Sequence, residues 1–318
     1  MKTREKISIL ILTALIFAAF NIGIYATLTR RVVDEMTVQE RKNAISLDDY
    51  LPFAEGTRAV NIDSSLRFEA DDDLPVLDGA AALYPVFASV VNSVYPDGCV
   101  EFDGETFSPS GALQFRNTLR AYKAVVDGDC DIAFCAAPSK EQAQYAASLG
   151  VELELLPIGR EAFVFIVNEN NPVDDLSTEQ LRGIFSGKYT NWREVGGPDR
   201  LIDPKLRMEG SGSQTMMEHF MGGEKMNTRP FGFFGGSIGF SFRYYVEAVP
   251  REMRVKMLAV DGVYPSAENI KSGEYPHVSN FYAVYRADNE NENVHALLDW
   301  LLSDEGQRLI EEVGYTGL

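Results

Sequence analysis

The chain has 318 residues, 45% of them hydrophobic and 24% charged, which is globular composition with enough apolar material for sizeable cores. A formal net charge of −18 argues against nucleic acid and against a broad basic membrane patch, so any anion site must be local. Only three cysteines (Cys99, Cys130, Cys135) and three histidines occur, with no C-x-x-C and no histidine close to a cysteine, a pattern that argues against a metal site. The cysteines read as small buried thiols, with one disulfide involving Cys99 left open.

A short basic head, MKTREK, opens the chain. Residues 7–28 follow without a charge, and these 22 residues would reach about 33 Å as a helix, enough to cross a bilayer core. The run is longer than the apolar core of a signal peptide, so it is expected to be a retained transmembrane anchor. Cleavage near Tyr25-Ala26 is the alternative, which would make the protein secreted. No cysteine follows the run, so a lipoprotein anchor is not expected. Lys2, Arg4 and Lys6 precede it, but Arg30, Arg31, Arg41 and Lys42 come after it, so charge does not separate the two sides cleanly. The export-type order of basic head and apolar segment places the bulk on the extracytoplasmic side. Residues 29–73, with Asp48-Asp49 and the acidic run at 69–73, are expected to be a solvated stalk.

From residue 74 on, short apolar runs alternate with helical patterns. Residues 83–95 have apolar positions at helical spacing. Asp131-Ile132-Ala133-Phe134, residues 163–167 (FVFIV), 255–260 and 281–285 are strand-like. Ser139 with Gln142, and Ser177 with Gln180, have capping-box spacing. The C-terminal residues 294–302 and 304–313 read as helices. This alternation predicts an α/β protein with largely parallel sheets, and about 245 residues predict two lobes rather than one core.

The most informative stretch is 209–217, EGSGSQTMM, with Arg207 two residues upstream. The first amides of a helix lack intrahelical partners, and the helix dipole adds partial positive charge there. Glycine allows close backbone approach, Ser211 and Ser213 offer hydroxyls, and Arg207 offers a charge-assisted pair. Together these describe an anion cradle. An ordinary capped loop would look similar. A hydrolase would need a serine with a base, but the stretch does not match G-x-S-x-G and His219 has no evident third partner.

The order of several blocks adds to this. LDGAAALYP at 77–85 is followed by GDCDIAF at 128–134 and Ala137-Pro138-Ser139. Asn170-Asn171-Pro172-Val173 and LRGIFSGKYTNW at 181–192 come next. Arg207 to Ser213, GSIGF at 236–240 and LAVDGVYPSAENI at 258–270 complete the series. From about residue 74 to the end, this series resembles the phosphate-binding proteins of ABC phosphate importers. The resemblance implies a type II periplasmic-binding-protein fold without cofactor or enzymatic activity. Lobe one would comprise residues 74–162 and 251–318, and lobe two 163–250, with hinge closure across the crossings near Phe163 and Pro250.

The resemblance also implies three oxyanion-binding loops. One falls on Gly79-Ala80-Ala81-Ala82, where Ala81 stands in place of the expected hydroxyl and the amides of Ala81 and Ala82 remain as donors. The second falls on Asn117-Thr118. The third is Arg207 with Ser211, Gly212 and Ser213. The family's acidic proton acceptor aligns with Ala136, whereas Asp131 reads as structural. The implied function is capture of phosphate, by a membrane-anchored monomer, for an importer permease. The alternatives are a receptor for another oxyanion of sulfate or molybdate type, and a surface sensor or interaction protein that kept the fold.

Overall fold

The structure is a computed structural model that describes residues 45–227, 236–248 and 254–318. The expected anchor at 7–28 and the first part of the expected stalk, 29–44, lie outside the described residues. Among the described residues, no helix is long and apolar enough to cross a membrane.

In chain order the elements are β1 (Leu77–Gly79), α1 (Tyr84–Val94), α2 (Asn117–Asp127), β2 (Ile132–Cys135), α3 (Lys140–Ser148) and β3 (Leu153–Asn168). Next come β4 (Asp175–Leu176), α4 (Thr178–Ser186), β5 (Ile202–Pro204), α5 (Gly212–Met221), β6 (Gly236–Phe242) and α6 (Arg243–Glu247). The chain ends with β7 (Val255–Met257), β8 (Ala259–Val260), α7 (Ala267–Ser272), β9 (Val278–Arg286), α8 (Glu292–Leu302) and α9 (Asp304–Val313). Local chemistry sets several boundaries. Ser139 and Ser177 each accept from the amide three residues on, and Gln142 and Gln180 each accept from the cap's own amide. Both capping boxes therefore satisfy two orphan donors reciprocally.

One path of strands, β1-β2-β9-β3-β6-β5, carries both lobes, with β7 also on β3. Its axis is β3, which at 16 residues is too long for one lobe. Its first part, Leu153 to Ala162, pairs with β9, and the following residues, Phe163 to Val167, pair with β6. Two apolar cores form on either side of that handover. One gathers Tyr84, Phe87, Phe134, Leu113, Leu297 and Leu309, and the other Phe163, Phe165, Phe185, Trp192, Phe240 and Tyr275.

Three expectations are corrected. The sheet is mixed rather than largely parallel: β1–β2 and β5–β6 are parallel, but β9 runs antiparallel to both β2 and β3, and β3 antiparallel to β6. The reason is that β3 leaves lobe one and β9 returns to it, so the two crossing strands pair in opposite directions.

Second, the return crossing lies later than Pro250. Leu258, Val260, Ile270 and Tyr275 still belong to the second core, and Phe281 is the first residue back in the other. Pairing of β7 with the far end of β3 at Ile166 to Asn168 keeps this segment in lobe two.

Third, residues 45–73 are not a free spacer. Tyr50, Ala59, Ile62 and Phe68 are buried in the lobe-one core. The segment runs along α1, where the Val60 amide donates to Ser89 Oγ at 2.9 Å and the Ile62 amide to Ser93 Oγ at 3.1 Å. The Phe53 amide donates to Asn92 Oδ1 at 2.9 Å. Its apolar residues are too sparse in sequence to show a period, yet α1 is buried along its whole length and needs this cover.

Candidate anion-binding cleft

On the lobe-two side, α5 begins at Gly212 after Ser211, whose extended backbone and Oγ form an N-cap that accepts from the Gln214 amide at 3.3 Å. Gln214 also accepts from the Arg207 amide through Oε1 at 3.0 Å. The eight residues 207–214 are therefore tied into one unit, with Arg207 beside the first turn. Gly212 and Ser213 lie in that turn, where amides precede the first intrahelical bond and the dipole is positive. Gly210, with φ +75°, makes the left-handed turn into the cap.

On the lobe-one side, α2 starts differently. Asn117 at its first position is left-handed, with φ +69°, and its Oδ1 accepts from the Arg120 amide at 3.4 Å. The anchor is Asp78 at the centre of β1, fully buried. Its Oδ1 accepts from the Arg116 amide at 2.9 Å and from the Gly79 amide at 2.8 Å, and its Oδ2 pairs with the Arg116 guanidinium at 3.0 Å. Burial raises the Asp78 pKa above the usual carboxylate range, and the two backbone amides and the Arg116 charge oppose that rise. Thr118 follows immediately, almost wholly buried.

The two sides meet at Gly212. A methyl group built there would lie 3.6 Å from Thr118 Oγ1 and 3.7 Å from both Ala136 Cβ and Phe242 Cε2. Two helix starts, one from each lobe, thus face each other across van der Waals distance. The structure brings together Thr118 with Gly212, and Arg207, Ser211 and Ser213 through the α5 turn. Ala136 follows β2, and Ala81 and Ala82 lie in a 3-10 turn (Ala81–Leu83) after β1. Because β1 and β2 are parallel, these loops leave the same edge of the sheet. Ala81 and Ala82 bring amides but no hydroxyl, and the Ala82 carbonyl accepts from the Tyr315 hydroxyl. Gly79 is required by packing, since a Cβ there would sit 2.5 Å from the Phe134 carbonyl oxygen.

Asp131 is structural: it accepts from the Val76 amide at 2.8 Å and from Asn289 Nδ2 at 2.9 Å. The three cysteines are free thiols, and burial pushes Cys99 up to about 11 and Cys130 and Cys135 higher. Sequence reading missed Asp78 and Arg116. An acid between Leu77 and Gly79 in a buried strand was the available signal, but its partner lies 38 residues away. It also missed Glu161, buried where β3 passes between the lobes. That carboxylate accepts from the Ala162 amide at 2.8 Å and the Tyr244 amide at 3.4 Å, and burial still pushes it up to about 7.

Residues 113–305, more than half of the chain, match the model of the PBP superfamily domain. Protein SphX of Synechococcus elongatus is 25% identical over 279 residues, covering 77% of each chain. The phosphate-binding protein PstS of Bacillus subtilis is 30% identical over 163 residues, 47% of this chain and 52% of that protein. Among solved structures, a Clostridium perfringens protein described as a putative phosphate ABC transporter substrate-binding protein, with bound phosphate, aligns with TM-score 0.59 at 24% identity. The alignment covers 77% of this chain and 100% of that one. An ABC-type phosphate transport receptor from Vibrio cholerae aligns with TM-score 0.55 at 21% identity, over 77% of this chain and 100% of that one. Those structural likenesses establish the fold. The chain belongs to the PBP superfamily, and the resemblance read from its motifs is carried by sequence relatives named as phosphate-binding proteins.

Proposed function

We propose that this protein is an extracytoplasmic solute-binding protein that captures phosphate between its lobes and delivers it to the permease of an ABC importer. The observation that carries the reading is the meeting of two helix starts at Gly212 and Thr118 with Arg207 beside them. The first turn of α5 and the Thr118 hydroxyl meet there, and the Arg207 backbone is tied to that turn, in a chain that is otherwise strongly acidic. Arg207, Ser211, Gly212, Ser213 and Thr118 are the proposed contacts, with the amides of Ala81 and Ala82 at the neighbouring edge. In this reading residues 7–28 anchor a monomer to the membrane, which keeps it near its permease.

The test is calorimetric titration of the full-length chain with phosphate, sulfate and molybdate. Tight phosphate binding, weakened about 10- to 100-fold in Arg207→Ala, supports the proposal. Absence of phosphate binding at millimolar concentration rejects it and favours a sensor or interaction protein on the same fold.

A second reading rests on Ala136, whose methyl group faces Gly212 at the point where a carboxylate would accept a proton from hydrogen phosphate. That wall suits a fully ionised oxyanion equally well. Tighter binding of sulfate or molybdate than of phosphate would select this reading.

A further inference from the structure

Beside the wall around Gly212, a directional bond among the described residues also crosses the cleft. The Gln142 Nε2 of α3, in lobe one, donates to the carbonyl of Gly210, in lobe two, at 3.3 Å. Gln142 is not free to point elsewhere. Its amide donates to Ser139 Oγ at 3.2 Å, and its Oε1 accepts from the Ser139 amide at 2.7 Å. The capping box therefore uses the acceptor end of the carboxamide, and a flipped amide would set two donors against each other. The donor end is left aimed at lobe two, and the side chain is buried.

The receiving carbonyl is equally fixed. Gly210 holds φ +75°, and a Cβ there would lie 3.2 Å from Leu119 Cδ1 of α2. Leu119 is half exposed, so it closes on Gly210 from the cleft edge. Gly210 directly precedes Ser211, the cap of the helix that carries the proposed anion donors.

We propose that Gln142 is a positioning residue that latches the 210–213 loop to lobe one when the cleft is shut, with Leu119 packing beside it. The proposal rests on the reading of this cleft as an anion site. Gln142 sets how long the cleft stays shut and contributes no charge recognition. Its contribution therefore lies in the rate of anion release. The capping box serves two purposes: it starts α3, and it orients the latch.

The test uses two variants of the full-length chain with inorganic phosphate as probe. Gln142→Glu keeps the capping-box acceptor and removes the donor. Gln142→Met removes both without adding charge. Stopped-flow release of phosphate is expected to accelerate about three- to tenfold in both, the loss of one neutral hydrogen bond, while the association rate of Gln142→Met stays unchanged. Gln142→Glu should keep the melting temperature of the parent.

An unchanged release rate in both variants overturns the proposal, as does an effect confined to association and abolished by salt, which would be charge repulsion alone. Should the parent bind no phosphate, the interlobe distance distribution between spin labels on the two lobes remains as readout. Both variants must then shift it to longer separations, and an unchanged distribution overturns the latch independently of the ligand.

Discussion

The two faces of the candidate cleft are built differently. The lobe-two face is local: Arg207, Ser211 and Gln214 are bonded to one another within eight residues, and the cap is a side chain next to its helix. The lobe-one face is assembled from four distant places. Asp78 from β1 fixes Arg116 before α2, Ala136 comes from the end of β2, and residues 45–73 cover α1 from behind. The first can be built by short-range chemistry, whereas the second exists only once the lobe-one sheet has formed.

The strongest way to break that contrast is deletion through residue 73. Tyr50, Ile62 and Phe68 would each forfeit about 1.5–3 kcal/mol of burial, together comparable to the whole stability of a domain. Lobe one is then expected to lose its cooperative melting transition in calorimetry. A deletion that melts like the full chain would refute the assignment of this segment to the core.

Asp78→Ala comes next. It strands the Arg116 guanidinium and two amides, and a loss of about 3–5 kcal/mol is expected in denaturant unfolding. Adding Arg116→Met should recover part of it. Failure of the double variant to recover any would show that the backbone contacts of Asp78, rather than its charge pair, hold α2.

Glu161 tests the strand shared by the two faces. Its folded pKa, about 7, exceeds the ordinary 4.5, so the native state retains a proton that the unfolded chain has released between those values. Stability from this group is full below about pH 4.5 and is lost as pH rises through 7. The difference in unfolding free energy between Glu161→Gln and the parent should therefore move in favour of the variant by up to about 3 kcal/mol from pH 4.5 to 8. A pH-independent difference would place the carboxylate outside the titrating range.

Smallest are the two polar deletions on opposite sides. Ser211→Ala should cost about 1 kcal/mol of stability through loss of the cap. Thr118→Val should leave the melting temperature nearly unchanged and weaken phosphate binding several-fold, one hydrogen bond. Equal effects of both on stability would erase the distinction between the faces.

Much of lobe two could be read in advance because its signals are short. The Ser177–Gln180 box, the 163–167 run and the 207–214 turn are each complete within a few residues. The misreadings share one cause. A largely parallel sheet was expected because strands alternate with helices, but direction was decided by β3 and β9 passing between the lobes together. The second crossing was placed near Pro250, but β7 pairs with the end of β3 first. The acidic residues near 69–73 looked like spacer, although Phe68, beside them, packs edge-on against Tyr95 with ring centroids 5.1 Å apart.

The sequence by itself determined the capped starts of α3 and α4 and the order of polar groups in residues 207–214, because each depends on donors and acceptors a few positions apart. Only the tertiary structure decided that Thr118 and Ala136 face Gly212, that Asp78 holds the start of α2, and that Gln142 reaches Gly210. Those contacts join residues far apart in the chain, and their geometry follows from strand pairing and the packing of the two cores, which no local pattern encodes.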